Sequence, residues 1–505
     1  MSLPLGRPGV RAVRWSVLTA AARVLLQLLI QVLLARMLGP QVFGVFAIGL
    51  VTLTLAGFLA GFGLSWNLMQ RTHLDEADIR FAWTWQLLMG LAALLALQAL
   101  APVIAQTLRE PAAESVIRWM SLGCLLQAAA APATHLLTRA LDFRSLGLIQ
   151  LLSYFVGYGL VGLPLAWAQA GESALVSAWL VQAAMVTVAS LLMRPHPLRP
   201  LLWYGRARDM LLVGQAVFMT NLVNWSLNHL DRLFISRLLG TWSLGLYNVA
   251  YNLASVPSQI LLGALQPAFV AAGAQMQSEP GRLAQAYVQM LATLIVLGLP
   301  TGLALALIAP DLMTLLYGAR WLEAAPVLAG LLAVMPLLAI WGISTPVLWN
   351  TGRPQHEWLL QLPLLVVGAL LFWIATPLGL GAAALAAATL VLLRASLLVA
   401  AALRALHVPV SALGAHALRG LALSIGLAAV LLTVQTLMAT QSPALRLLAS
   451  IALPVLPMAL LLWLRPGWLH QVLGAQTWAM VQRFAPSLGR WQPKHHAPAL
   501  HQQAP

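Results

Sequence analysis

Few ionisable side chains lie well inside the apolar stretches of this sequence: Arg23, Asp231, Arg232 and Arg394. A charge at the centre of a membrane costs about 2.5–3.5 kcal/mol even on the lenient insertion scale, so such groups face protein or water and are functional candidates. Arg23, Gln27 and Gln31 run i, i+4, i+8 and fall within roughly an 80° arc of one helix face. Asn224, Asn228 and Arg232 repeat that spacing, with Asn221 just before them. A third stripe, Asn248, Tyr251, Asn252, Ser255 and Gln259, occupies roughly a 100° arc. Amides, a phenol and guanidinium groups without a nucleophile or a carboxylate pair are binding chemistry rather than bond-breaking chemistry. They suit sugar hydroxyls and a phosphate. These three stripes are expected to line one cavity. Asp231 is the one acidic candidate for ion coupling. Arg232 is not expected to be its partner, because adjacent helix residues do not face each other. Arg394 is expected to be an isolated packing charge.

The elements that hold these stripes occur as a pair. Arg36-Met37-Leu38-Gly39-Pro40 through Phe43-Gly44 ends one apolar helix and begins the next. Arg237-Leu238-Leu239-Gly240-Thr241 through Leu244-Gly245 does the same 201 residues later. The same offset carries Arg23, Gln27 and Gln31 onto Asn224, Asn228 and Arg232. Matched caps with matched stripes indicate an internal duplication. The counterparts of the third stripe in the first half are largely apolar, so the copies have diverged and the second is the more polar.

Composition places the pair in a membrane. Of 505 residues, 61% are hydrophobic and 8% charged, and the mean hydropathy is +0.85; a soluble domain carries about 25% charged residues. The net charge of +15 is spread over loops between apolar runs, which argues for topology setting beside anionic lipid and against nucleic acid. The single cysteine, Cys124, permits no intrachain disulfide. The first apolar run is too long for a cleaved signal sequence and is expected to be retained.

About fourteen spans of roughly 20 residues are expected, making an all-α polytopic membrane protein. Two parallel six-helix repeats would surround a central cavity, with two peripheral C-terminal helices. The expected divisions are 1–208 for the first lobe, 209–408 for the second, 409–466 for the last two spans and 467–505 for a cytoplasmic, partly disordered tail. With the N-terminus inside, nineteen basic residues fall on the inner side and six on the outer, so both termini are expected in the cytoplasm. Six spans per half make the repeat parallel, about an axis along the membrane normal. Tryptophans near the span ends, such as Trp66, Trp203 and Trp358, read as interfacial anchors.

Other signals are weaker. Asp75-Glu76-Ala77-Asp78 reads as a solvated inner loop rather than a metal cluster. His135 reads as buried polar filler. His495, His496 and His501 fall in a Pro- and Gln-rich tail. No Walker A, GxSxG or HExxH pattern is present, and no cofactor, metal or catalytic residue is expected.

The repeated phrase, with Asp142-Phe143-Arg144, Gln266-Pro267-Ala268, Arg320-Trp321, Ala324-Ala325-Pro326 and Asn350-Thr351-Gly352-Arg353, resembles bacterial polysaccharide transporters and oligosaccharide-lipid flippases. These belong to the multidrug/oligosaccharidyl-lipid/polysaccharide exporter superfamily. The likeness covers most of residues 10–400. It implies two six-helix lobes around a cavity lined by helices 1, 2, 7 and 8. It implies a non-enzymatic flippase of the inner membrane, moving undecaprenyl-diphosphate-linked oligosaccharide outward without ATP for O-antigen, capsule or exopolysaccharide synthesis. Its partners would be that glycan lipid and the bilayer, with polysaccharide polymerase and chain-length proteins as further candidates. The apolar second span departs from the family pattern. A cation-coupled multidrug exporter and a lipid II flippase share the fold and stand as alternatives. The former would need an acidic site inside the first lobe, where no mid-membrane Asp or Glu is evident. A membrane glycosyltransferase would need an acidic cluster and a sizeable domain on the outer side, and the outer loops are short.

Overall fold

The structure, a computed structural model, describes residues 7–61, 68, 74–140, 142–205, 207–275, 280–350 and 354–464. The tail 467–505 with its histidines, together with Gly352, Arg353 and Arg71, lies outside the described residues. Among the described residues the regular structure is helical. Eleven helical stretches are long and apolar enough to span a membrane; the two arms of Ala207–Gln275 and the apolar helix Pro443–Leu464 bring the passes to fourteen.

The first six are α1 (Arg7–Leu38), α2 (Pro40–Gly61), α3 (Glu76–Leu108), α4 (Ala112–Arg139), α5 (143–167) and α6 (Glu172–Met193). The next six are α7 (207–239), α8 (241–275), α9 (280–307), α10 (Ala325–Asn350), α11 (Pro354–Ala375) and α12 (Leu380–Ala405). The last two are α13 (Gly414–Leu437) and α14 (Pro443–Leu464).

The two copies of the repeated phrase make the same bend. Gly39 and Gly240 both have φ +80°, a left-handed conformation that glycine adopts without the Cβ penalty. Each bend folds one helix back on the next. Across the second, Tyr247 reaches Asp231 at 2.6 Å although they are sixteen residues apart; a straight helix would separate them by about 24 Å.

The connection 194–205 between α6 and α7 is strapped to α3. The Arg80 Nε donates to the Arg199 carbonyl at 3.0 Å, Leu201 N–H to Thr84 Oγ1 at 2.9 Å and Trp85 Nε1 to the Leu202 carbonyl at 2.9 Å. The acidic run at 75–78 is therefore not a simple solvated loop. Asp78 is fully buried, accepts the Asp75 backbone N–H at 2.9 Å and binds the Tyr204 hydroxyl, so it both starts α3 and pins the strap.

α13 and α14 pack on the outside of the second half. Gly420 lies against the Ile295 backbone, Gln435 donates to the Leu307 carbonyl at 2.7 Å, and Arg446 pairs with Asp311 of the short helix Ala309–Leu316 at 2.6 Å. Their outward faces are apolar and exposed, as at Leu418, Ile425 and Leu448, which fits contact with lipid. One continuous hydrophobic core runs through both halves, from Ile30 and Phe46 to Tyr247 and Trp321.

Candidate functional site

A cavity of about 260 Å³ lies between the halves. α1 contributes Gln27 and Gln31 to its wall, and α8 contributes Asn248, Asn252, Ser255 and Gln259. These are the first polar stripe without Arg23 and the third without Tyr251, brought to one cavity. Apolar residues of the same two helices, among them Val24 and Val256, continue the wall, which also takes in Phe43, Phe46 and Leu50 of α2, Tyr154 and Tyr158 of α5, and Leu175 of α6. Among the described lining residues there is no Asp, Glu, Lys, Arg or His. Ser255 and Gln259 are ordered, Ser255 donating to the Asn252 carbonyl and accepting from Gln259 Nε2, each at 2.8 Å.

Arg23 is half-buried on α1, next to the lining residue Val24 and one turn, about 6 Å along the axis, from Gln27. Its Nε is buried and makes no hydrogen bond among the described residues. An unpaired buried donor costs roughly 1–3 kcal/mol.

The second stripe does not line this cavity. Asn224 and Asn228 turn into the second lobe, where their Oδ1 atoms accept from Arg394 Nη2 and Nη1, both at 2.6 Å. Arg394 Nε donates to Gln361 Oε1 at 2.5 Å, and the guanidinium lies 3.7 Å from the Trp341 ring centroid. Glu357, 2% exposed, accepts from Asn224 Nδ2 at 3.5 Å. Arg394 is thus not an isolated packing charge: a planar guanidinium with several fixed donors is matched here to three amide oxygens from two helices. Asn221 is half-buried on α7 and stands outside the lining.

Asp231 and Arg232 do form a pair, contrary to the expectation from their adjacency. Asp231 Oδ1 lies 3.4 Å from Arg232 Nη1, while Oδ2 accepts from the Tyr247 hydroxyl at 2.6 Å. The arginine side chain is long enough to curl back beside its neighbour. It also donates to the Asn228 carbonyl at 2.8 Å and lies 4.2 Å from the Tyr251 ring centroid. Arg232 Nε reaches Asn248 Oδ1 at 3.3 Å. Asn248 therefore connects the cavity wall to the buried ionic network.

The Arg-poor face is sealed by the repeated phrase itself. A Cβ built on Gly44 would stand 1.8 Å from the Thr241 carbonyl oxygen, and one on Gly245 would stand 1.9 Å from that of Pro40. The offset of 201 maps each contact onto the other, so the crossing is nearly twofold. Around it Gln41 Nε2 donates to Thr241 Oγ1 at 2.6 Å, and Thr241 donates to Glu110 Oε2 at 2.6 Å. Arg36 binds the carbonyls of Leu316 at 2.7 Å and Leu315 at 2.5 Å, and buried Trp321 donates to that of Ala35 at 3.2 Å.

Residues 33–326 match the polysaccharide biosynthesis protein family. The chain belongs to that family. It is 24% identical to the lipopolysaccharide biosynthesis protein WzxC of Escherichia coli (strain K12), over 65% of this chain and 67% of WzxC. It is 28% identical to the succinoglycan biosynthesis transport protein ExoT of Rhizobium meliloti (strain 1021), over 72% of this chain and 70% of ExoT. Among solved structures, the lipid II flippase MurJ in an inward closed conformation superposes with a TM-score of 0.68 at 14% identity, covering 88% of this chain and 99% of MurJ. An inward-facing multidrug resistance MATE family transporter gives 0.59 at 15% identity, over 78% and 98%. At those identities the likeness shows the fold. This member of the polysaccharide biosynthesis protein family is a multi-pass membrane protein with the helical transporter fold.

Several residues of the family member's centre escaped the sequence reading. Tyr154 and Tyr158 sit in an apolar span with no polar stripe, and an eight-residue π-helical stretch begins directly after Tyr154. Gln361 and Arg394 were visible as polar residues within spans, but nothing local placed them on one another. Gly44 and Gly245 were visible as part of the repeat; their contact with each other's helices was not.

Proposed function

We propose that the protein is a flippase that moves undecaprenyl-diphosphate-linked oligosaccharide repeat units from the inner to the outer leaflet of the cell inner membrane, for polysaccharide synthesis. The observation that carries this is the cavity wall: amides from α1 and α8 facing each other across a space whose described lining includes no charged side chain. A sugar head cannot enter hydrocarbon without losing its hydrogen bonds, and Gln27, Gln31, Asn248, Asn252 and Gln259 replace those that water would make. The relatives WzxC and ExoT, by name proteins of lipopolysaccharide and succinoglycan biosynthesis, support the same substrate class. A cation-coupled multidrug exporter fits the wall less well, because among the described residues no carboxylate lines the cavity to receive a cationic drug.

With the Arg-rich side cytoplasmic, both termini lie in the cytoplasm and the Gly44–Gly245 crossing is an outer gate. The diphosphate takes the free donor of Arg23 beside the cavity, and the prenyl chain stays in lipid. A volume of about 260 Å³ is below the roughly 300–1,000 Å³ of small-ligand pockets, so this conformation does not hold a whole repeat unit. The lobes must separate on one side and then the other, as in alternating access. The Asn224–Arg394 and Asp231–Arg232 networks keep the second lobe rigid during that motion, with Asp231 as the candidate coupling residue.

Export of surface glycan from cells carrying Arg23→Ala tests the reading. Export should fall severalfold at normal protein level and recover with Arg23→Lys. Full export by Arg23→Ala would remove this residue from the mechanism.

A further inference from the structure

Two tyrosines give the cavity a surface that amides alone do not. Tyr154 and Tyr158 both line it, with ring centroids 4.7 Å apart and planes 23° from parallel. Tyr154 is 8% exposed and packs in the core, while Tyr158 is half-buried and opens onto the space. The backbone there is built for this. The π-helical stretch Phe155–Gly162 follows Tyr154 directly, and such stretches concentrate at functional sites. Gly157 lets α5 close on α6, where a Cβ would stand 2.5 Å from the Ala178 carbonyl oxygen.

We propose that Tyr158, backed by Tyr154, is the stacking platform of a neutral pyranose subsite. A pyranose has an apolar face of C–H groups and an edge of hydroxyls. An aromatic ring offers a negative face to polarised C–H groups, and the amides of Gln27, Gln31 and Asn252 offer both donors and acceptors to the hydroxyl edge. The described lining, which holds no charged side chain, fits an uncharged sugar ring. The small volume fits one ring or two, with the diphosphate near Arg23, a turn from Gln27. This rests on the transport reading and specifies the part of the glycan that the cavity selects.

The test uses the full-length protein in lipid nanodiscs and two probes: undecaprenyl diphosphate carrying a single galactose, and unglycosylated undecaprenyl diphosphate. Wild type should bind the galactose lipid more tightly. Tyr158→Leu should lose about tenfold for the galactose lipid, the weight of a modest apolar face, and nothing for the bare lipid. Tyr158→Phe, which keeps the ring, should retain the preference, and Tyr154→Leu, which removes the backing ring, should reduce it. Equal losses for both probes would make the tyrosines structural and overturn the platform. An undiminished preference in both leucine variants would overturn it too. If Tyr158→Leu fails to fold, Tyr154→Leu carries the test. If wild type binds neither lipid, the transport reading itself fails, whatever the tyrosines do.

Discussion

Replacing Gly44 by alanine should prevent the Arg-poor face from sealing. The new Cβ would stand 1.8 Å from the Thr241 carbonyl oxygen. An ordinary C···O contact needs about 3.3 Å, so α2 and α8 must part by about 1.5 Å at the crossing. Neither neighbouring atom belongs to a flexible side chain; both are backbone. The displacement would stretch the Gln41–Thr241 and Thr241–Glu110 hydrogen bonds, each 2.6 Å, beyond bonding range. Two such bonds at about 0.5–1.5 kcal/mol each amount to roughly 1–3 kcal/mol. That moves the balance between sealed and open by about 5- to 150-fold. The chain's lone cysteine, Cys124, is buried, so Gln31→Cys in a Cys124→Ala background reports on the cavity. A thiol reagent that cannot cross the membrane, added outside, should label this site at least fivefold faster in Gly44→Ala, and glycan export should fall. Gly245→Ala should behave alike, because its Cβ meets Pro40 at 1.9 Å. Unchanged labelling together with wild-type export would refute the steric reasoning.

Arg394→Leu should destabilise the protein by about 3 kcal/mol or more, since it takes the donors from Asn224, Asn228 and Gln361 at roughly 1–3 kcal/mol for each buried group left unsatisfied. Arg394→Lys should restore little, because one ammonium cannot span the same three acceptors. An unchanged thermal midpoint in detergent would count against both. Acidification should loosen the strap at 194–205. Burial holds the His196 pKa below the usual 6.5, with the Pro197 carbonyl offsetting this only in part. The neutral ring is therefore favoured in the folded state, and its contribution is present above about pH 6.5 and lost as pH falls below that. Hydrogen-exchange protection factors in 194–205, which remove the intrinsic pH dependence of exchange, should fall between about pH 7 and pH 5, and His196→Phe should remove that fall.

Much of this architecture was legible in the sequence because its signals are local. Apolar runs of membrane length set the helices, and the repeat located both bends, where Gly39 and Gly240 share one φ value. The stripes on α1 and α8 were legible as helix faces, and the structure sets them across one cavity. The stripe on α7 had the same spacing and a different destination. Periodicity gives the face of a helix and not what that face meets, and Arg394 lies 170 residues from Asn224. Asp231 and Arg232 show a second limit: the rule that neighbours diverge concerns Cβ directions, and arginine has enough length to escape it. Tyr154 and Tyr158 carried no pattern at all in an apolar span; a register-shifting π stretch is set by packing rather than by composition.

The central claim is that a glycan head crosses through the amide-lined cavity. Purified protein reconstituted in liposomes with undecaprenyl-diphosphate-linked oligosaccharide tests it directly, with a glycan-cleaving enzyme added outside. The fraction of glycan protected from cleavage should fall with time in protein-containing vesicles and stay constant in empty ones. A protected fraction that stays constant with well-folded protein present, in vesicles that instead take up or expel a cationic dye, would contradict the account.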